Sequence, residues 1–309
     1  MADKFDHIMI PLAVILTIVP MIGILGNFIM VTATFKEKRI NSPCHLLIAV
    51  TCTADLINEL GQFPFAFNFF NKSSMMQMDC FYVLLVPLMG VSIGSPLVLT
   101  LGVDRFLAIK FPFRYRSLQK TPYHYVACHL IIPITYTVFL IVTSYLTRNQ
   151  NFVKCSIPQG FGEFAFNLLN QIGLGINILI TIVYGLVLFF IRQGGTSDSI
   201  RAVHKSIAVT VVIVLCGWLT AFLINTLAHI ITEDPDILMI TSLFAGIAVN
   251  ISLASNIFVF YTINMEYRKA IRKMIGNYFG TQTVQEVSKV YSFAQTTRLK
   301  TKNIATFHN

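Results

Sequence analysis

Long uncharged segments dominate this chain, and short stretches between them carry most of its charges. Seven such segments can be read directly from the sequence. A helix needs about 20 apolar residues to cross the hydrocarbon core of a bilayer. Because backbone polar groups cannot stay unpaired in lipid, and because the segments lack β-barrel alternation, we expect seven helices. The predicted spans are Ile8–Phe35, Pro43–Phe69, Cys80–Val103, Thr121–Thr147, Phe164–Ile191, Ser206–Thr232 and Ile237–Met265.

The composition supports an all-α membrane protein. Hydrophobic residues make up 55% of the chain and charged residues 12%, whereas soluble domains carry about a quarter charged residues. The net charge of +9 does not gather on one basic face, so nucleic acid is not an expected partner. The sequence has no HExxH pattern and no nucleophile motif, so we expect no enzyme activity, no cofactor and no bound metal.

Lys and Arg residues predict the orientation in the membrane. All but four of the 23 lie in the connections that follow odd-numbered spans or in the C-terminal region; the exceptions are Lys4, Lys72, Arg148 and Lys154. Because positive charge stays cytoplasmic, we expect the N-terminus outside and the C-terminus inside. The predicted organisation is an extracellular N-terminus (1–7), a seven-transmembrane bundle (8–264), an amphipathic helix (265–279) and a cytoplasmic tail (280–309).

Two shorter patterns add detail to this organisation. In the amphipathic segment an apolar stripe lies between basic residues, which predicts a helix at the membrane interface; its members are Tyr267, Ile271, Met274, Ile275 and Tyr278. Asn71 begins the sequon Asn-Lys-Ser in a loop predicted to be extracellular, and is therefore a candidate glycosylation site.

Two acids interrupt the second span. Asp55 and Glu59 are four residues apart and share one face of a helix. An acid inside a membrane is costly, so it is a functional hypothesis by default. Three interpretations remain open. The two acids form a proton or cation path in a transporter or channel, they belong to a receptor core, or they are protonated or hydrogen-bonded structural groups.

The third span ends in a charged motif that resembles a known family. Asp104 to Ile109 reads DRFLAI and is followed by Pro112 and Tyr115. This resembles the cytoplasmic end of the third helix in rhodopsin-like G-protein-coupled receptors, which carry Asp-Arg-Tyr there. Cys80 lies 25 positions before Arg105, which is the family's spacing for its extracellular cysteine. The resemblance implies a disulfide between Cys80 and Cys155, in the loop after the fourth span.

Other family positions match over most of the chain. The matches are Gly26-Asn27, Asp55, Trp218 and the stretch from Asn256 to Phe260, which resembles Asn-Pro-x-x-Tyr. The chain departs from the family pattern at five positions: prolines that kink helices are replaced by Ile176, Thr220 and Ile257, and tyrosines by Phe106 and Phe260. Together with Ser42–Val50 and Leu101–Tyr115, this pattern resembles nematode serpentine chemoreceptors of class SX.

The resemblance implies a multi-pass receptor of the plasma membrane, with the lipid bilayer, a small-molecule or peptide ligand and a heterotrimeric G protein as partners. An odorant chemoreceptor is the first hypothesis, a neuropeptide receptor the second, and a transporter or ion channel the third. Asp104, Arg105, Asn256 and Phe260 would form the G-protein switch. Asn27, Asp55 and Trp218 would couple this switch to the pocket.

The resemblance also makes expectations for two internal sites. The expected ligand pocket lies between the outer halves of the helices; its candidate lining residues, each of which is also compatible with plain packing, are Gln171, Phe222, Asn225 and Asn250. Asp55 could hold sodium with Asn256 and Ser252, although Gly94 stands where a hydroxyl is expected.

Ile200, with Asp198 just before it, occupies the position of an acidic lock for Arg105, which predicts measurable basal activity.

Overall fold

A computed structural model describes residues 2–37, 42–118, 120–193 and 198–278. This part of the chain is almost entirely helical, with one short two-stranded antiparallel sheet. The helices and strands are α1 (Ala2–Lys36), α2 (Pro43–Leu60), α3 (Gln62–Phe70), β1 (Met75–Met76), α4 (Gln77–Lys110), α5 (Pro112–Leu118), α6 (Pro122–Leu146), β2 (Phe152–Val153), α7 (Ile157–Phe161), α8 (Glu163–Gln193), α9 (Asp198–Ile231), α10 (Pro235–Ala254), α11 (Asn256–Ile263) and α12 (Met265–Tyr278).

The predicted bundle is confirmed. Within the described residues, six helical segments are long and apolar enough to cross a membrane; they are His7–Lys36, Gln77–Lys110, Pro122–Leu146, Glu163–Ile191, Val211–Ala228 and Ile237–Ile263. The remaining predicted span, the second, consists of α2 and α3. It has lower apolar content because Asp55, Asn58 and Glu59 lie in it. At the N-terminus, α1 begins at Ala2, so residues 2–7 are helical and continuous with the first span.

Two of the predicted spans are each divided into two helices. Gly61 separates α2 from α3, and its N–H bonds to the carbonyl of Asn58. Ser255 separates α10 from α11, because its N–H is shared between two earlier carbonyls and its hydroxyl donates to the carbonyl of Ser252 at 2.6 Å. The seventh span is therefore broken without a proline at Ile257. By contrast, α9 runs unbroken through Thr220.

Helix α4 is central and packs against α2, α5, α6, α7 and α8. It comes very close to the backbone of α2 at Gly90. A Cβ atom there would lie 2.7 Å from the backbone nitrogen of Asn58 and 2.8 Å from the carbonyl oxygen of Ala54. Such close backbone contact between membrane helices is the usual role of small residues, and it fixes α2 against the centre of the bundle.

A compact cap covers one end of the bundle, which we call the disulfide end. β1 pairs with β2 through Met75–Val153 and Met76–Phe152, and Cys80 bonds to Cys155 as the family resemblance implied. The following short helix, α7, begins with a capping box formed by Ser156 and Gln159. The cap thus holds α7 across the ends of the long helices.

Buried polar side chains fix α7 in place. The amide of Gln77 donates to the carbonyls of Gln159 and Gly160, and its oxygen accepts from the backbone N–H of Asn149 at 2.7 Å. Ser144 of α6 donates to the carbonyl of Phe161 at 2.7 Å. These bonds satisfy carbonyls at the end of α7 that would otherwise be buried without partners.

Candidate functional site

A cavity beneath α7 is a candidate binding site at the disulfide end, and we call it the large cavity. The volume of this cavity is about 70 Å³. Ile157 and Pro158 of α7 form its roof, and Trp218 contributes to its wall. Three residues predicted from the sequence line this large cavity: Phe222, Asn225 and Asn250.

The fourth predicted lining residue does not lie there. Gln171 is exposed on the outside of α8, and its neighbour Asn170 lines the cavity instead. Successive residues are rotated by about 100° around a helix, so an error of one position moves a side chain from the core to the lipid. Asn58 and Gln62 also line the cavity and were not predicted, although they are four residues apart in the predicted second span and would share a face of a continuous helix.

A second, smaller cavity lies deeper in the bundle. Its volume is about 30 Å³. The residues that line it include Asp55, Gly94, Asn256 and Phe260. Trp218 lines both cavities, and its ring lies 5.5 Å from that of Phe222. The predicted coupling residue therefore stands between the two spaces.

The predicted sodium ligands do not all converge. Asp55 and Asn256 share the small cavity, but Ser252 does not line it, and the Ser252 hydroxyl donates to the carbonyl of Val249 at 2.6 Å. A Cβ at Gly94 would meet open space, so this position adds no ligand either. In the described ranges, no group of three or more His, Cys, Asp or Glu side chains is arranged to hold a metal ion.

Asn27, Asp55, Glu59 and Asn256 form one buried network. The Asn256 amide donates to Asp55 at 2.8 Å and to the Asn27 oxygen at 3.1 Å. Asn27 in turn donates to Glu59 at 3.2 Å, so hydrogen bonds join the two acids through two asparagines. Gly23 makes room for Glu59, because a Cβ there would lie 1.6 Å from the carboxylate oxygen Oε1. The network therefore brings together three residues that were predicted from the sequence, Asn27, Asp55 and Asn256. Glu59 is hydrogen-bonded to the same network.

Asp104 and Arg105 form a closed cluster at the other end of α4, which we call the Arg105 end. Both side chains are buried, and the guanidinium pairs with the neighbouring carboxylate. Tyr115 of α5 completes the cluster: its hydroxyl accepts from Arg105 at 2.8 Å and donates to Asp104 at 3.0 Å. Burial raises the pKa of the Tyr115 hydroxyl, so the proton needed for that donation stays in place.

Asn256 and Phe260 lie away from this cluster. Phe260 is buried and packs edge-on against Tyr267 of α12, with ring centroids 5.2 Å apart. The predicted switch is thus divided between two places along the bundle. Tyr115 is the residue that the prediction of the switch missed, although its place after Pro112 belongs to the motif. The side chains of Asp198 and Ile200 lie outside the described part of the structure.

Helix α12 is attached to the bundle by its apolar face. Tyr267 is fully buried and shares a 3.0 Å hydrogen bond with Thr34 of α1, and Ile271 packs beside it. On the polar side, Glu266 lies 3.2 Å from the imidazole of His45. The neighbouring imidazole of His45 holds the pKa of the Glu266 carboxyl below its usual value.

Asn71 is exposed at the end of α3, just before a loop at the disulfide end. The Ser73 hydroxyl of the same sequon donates to the side chain of Asn68 at 2.8 Å. The proposed glycan would therefore project from the end of the bundle that carries the disulfide, beyond the helices.

A helical bundle with a covered cavity at one end and a charged cluster at the other is the architecture of a G-protein-coupled receptor. Residues 20–275 match the family described as serpentine type 7TM GPCR chemoreceptor Srsx. The chain belongs to this family, and it is a multi-pass protein of the plasma membrane.

Curated relatives include two human proteins. Olfactory receptor 52I2 is 24% identical over 148 residues, which cover 47% of this chain and 42% of that protein. Olfactory receptor 52I1 is 23% identical over 148 residues, covering 47% of this chain and 45% of the relative. The chain therefore aligns with less than half the length of these relatives.

Proposed function

We propose that this protein is a chemosensory receptor that binds a small ligand in the large cavity and activates a heterotrimeric G protein at the Arg105 end. The observation that carries the proposal is the order of features along α4. Val91 lines the large cavity, Leu101 lines the small one, and Arg105 follows one turn later. The chemoreceptor family and the olfactory relatives support the same function.

The proposed orientation places the disulfide end outside the cell. Disulfides persist in oxidising compartments, which suits Cys80 and Cys155. The exposed Arg114 and Arg116 of α5 and the basic residues of α12 lie at the other end, which suits the cytoplasmic face. A glycan on Asn71 would then be extracellular.

In the proposed mechanism the receptor exchanges between two arrangements of its helices. In the present one Tyr115 and Asp104 hold Arg105 inside the bundle. A ligand favours the other arrangement only by the difference in its affinity for the two. Trp218 contacts both cavities and would transmit that preference. Release of Arg105 from Tyr115 would then expose a cationic group to the G protein.

A small ligand fits the large cavity better than a peptide. The space is limited, and α7 covers it with Ile157 and Pro158. The disulfide of Cys155 and the hydrogen bonds from Gln77 hold this cap in place. A peptide would therefore have to break the hydrogen bonds to the backbone of α7 in order to enter. A neuropeptide receptor therefore remains the second candidate within the same class.

The network of Asp55 and Glu59 keeps a transporter or channel as the third candidate. Hydrogen bonds connect the two acids through Asn27 and Asn256, as in a path for protons. This candidate predicts a current or solute flux that is lost with Asp55→Asn and survives Arg105→Ala. The receptor proposal predicts neither.

The test is G-protein activation in cells that express the full chain, with a pool of volatile and water-soluble odorants. We expect a response in the native chain and its loss in Arg105→Ala at matched surface expression. Arg148→Ala is the control, because this exposed arginine lies at the disulfide end, where its guanidinium donates to the carbonyl of Tyr145. A response of full size in Arg105→Ala would contradict the proposed switch.

A further inference from the structure

Carboxamide side chains from several helices surround the large cavity. The polar lining residues are Asn58, Gln62, Asn170, Asn225, Ser242 and Asn250. The five carboxamide residues are all buried, with at most 9% of their surface exposed. The rest of the wall is apolar or aromatic, and none of the described residues that line it carries a charge. The cavity therefore combines hydrogen-bonding capacity with an uncharged surface.

Most of this hydrogen-bonding capacity is unused. Asn250 donates to the carbonyl of Gly246 at 2.7 Å, but its own oxygen Oδ1 is buried and has no partner among the described residues. The Asn225 oxygen accepts from Ser242 at 2.8 Å, which leaves the Asn225 amide nitrogen without a protein acceptor in the described ranges. Buried polar groups in native proteins normally have partners. Whatever fills the cavity must supply them.

The other three carboxamides contribute both kinds of group. Within the residues described, the side chains of Asn58, Gln62 and Asn170 make no hydrogen bond to protein, although each is more than nine-tenths buried. Each offers an N–H donor and a C=O acceptor side by side. Water can serve these groups in the empty receptor, since the site is polar and holds water-sized molecules.

We propose that the large cavity selects an uncharged ligand that carries a cis-amide group, as in a lactam, on an apolar or aromatic body. A cis-amide presents its own N–H and C=O side by side, so it can pair with a carboxamide through two hydrogen bonds. The apolar body would pack against Trp218, Phe222 and Phe166. This inference rests on the proposed function, because it assigns a ligand class to the same cavity.

The same observations argue against two other ligand classes. A charged ligand would lose its hydration without gaining an ion partner, which is costly in a buried site. A pure hydrocarbon would displace water and leave the oxygen of Asn250 unpartnered, and leaving a buried polar group without a partner is unfavourable. A lactam avoids both costs.

The experiment measures binding directly, with the purified full chain in lipid nanodiscs and no G protein. The probes are caprolactam and larger phenyl-substituted lactams, each with its N-methyl derivative, its lactone and its ring-opened amino acid. We expect the lactams to raise the melting temperature and to bind at micromolar to millimolar concentration. Loss of one hydrogen bond should weaken binding about tenfold in the N-methyl and lactone probes, and the charged probe should not bind.

Two neighbouring residues give a matched pair of variants. Asn170→Leu removes a carboxamide from the cavity wall, whereas Gln171→Leu removes one from the exposed side of α8. We expect about tenfold weaker lactam binding for Asn170→Leu and no change for Gln171→Leu. Asn250→Leu should also weaken lactam binding about tenfold. Because Asn250 donates to the carbonyl of Gly246 in its own helix, Asn250→Leu can also disturb folding. If it does, the comparison of Asn170→Leu with Gln171→Leu decides the test.

The outcomes separate this inference from the proposed function. Equal binding of lactams and N-methyl lactams, unchanged binding in Asn170→Leu, preference for the charged probe, or no lactam binding at millimolar concentration would each overturn the inference. Lactam binding in nanodiscs, together with no G-protein activation by any odorant of the pool or any lactam, would support the inference and contradict the receptor proposal. Signalling in response to charged odorants alone would support the receptor proposal and overturn the inference.

Discussion

Tyr115 restrains Arg105 in the present arrangement, so its hydroxyl should limit signalling in the absence of ligand. The substitution Tyr115→Phe keeps the buried ring and removes only the hydroxyl. It deletes the 2.8 Å bond from Arg105 and the 3.0 Å bond to Asp104. Asp104 and Arg105 remain paired with each other, so neither charge is left isolated. The change therefore weakens the closed cluster without destroying it.

The expected effect follows from the strength of those bonds. A hydrogen bond to a charged group contributes about 1.5–3 kcal/mol. Because the pair of charges survives, we take the lower value for the whole change, which is about a tenfold shift in the equilibrium. If the signalling arrangement is populated at about 1% without ligand, Tyr115→Phe should raise it to about 10%.

The assay is ligand-free G-protein activation at matched surface expression, compared with vector. Tyr123→Phe is the control, because Tyr123 is an exposed tyrosine at the start of α6, close to the same end of the bundle. We expect a several-fold rise for Tyr115→Phe and none for Tyr123→Phe. Basal signalling that stays at the native level in a well-expressed Tyr115→Phe receptor would refute the idea that this hydroxyl holds Arg105.

Two further predictions concern stability. Gly23→Ala should lower the melting temperature, because the added methyl group would displace the Glu59 carboxylate from its hydrogen bond with Asn27, at a cost of about 1–3 kcal/mol. Gly175→Ala, which meets open space, should not lower it, and adding Glu59→Ala should restore part of the loss. His45 lowers the pKa of Glu266, so this pair contributes stability above the ordinary Glu value of about 4.3 and loses it as pH falls through the lowered pKa. Melting curves of native and Glu266→Gln protein should therefore differ at neutral pH and converge in acid; parallel curves would contradict this.

The sequence predicted the helices well because lipid imposes a strong pattern on them. Each span needs a long apolar segment, and charged residues mark its ends. The second span was predicted despite Asp55 and Glu59, which lower its apolar content, and the structure resolves it as α2 and α3. The disulfide of Cys80 and Cys155 followed from the family resemblance and is confirmed.

The details of the site were harder to predict because apolar residues line both the core and the lipid. Helix α8 carries carboxamide side chains both in the cavity wall and on its exposed side, so residue type alone does not distinguish Asn170 from Gln171. The role of Tyr115 depends on the turn at Phe111, which brings α5 back beside α4. The break at Ser255 depends on shared backbone bonds, and no proline marks it. These features arise from tertiary packing.

The basal-activity hypothesis remains a prediction, and the cluster at the Arg105 end changes its expected size. The hypothesis rests on Ile200, which stands where the sixth helix of the family carries an acidic lock for Arg105. In the structure, Tyr115 restrains Arg105 in place of such an acid. We therefore expect native basal signalling to be low, and to become measurable mainly when the Tyr115 hydroxyl is removed.

The carboxamides of the large cavity come from separate helices: Asn58 from α2, Asn170 from α8, Asn225 from α9 and Asn250 from α10. A mutation at one of them alters one wall and leaves the backbone of the others unchanged. Gene duplication followed by single codon changes at these positions would produce receptors with the same scaffold and different chemical preferences. A cavity built in this way allows a family of chemoreceptors to diversify one wall at a time.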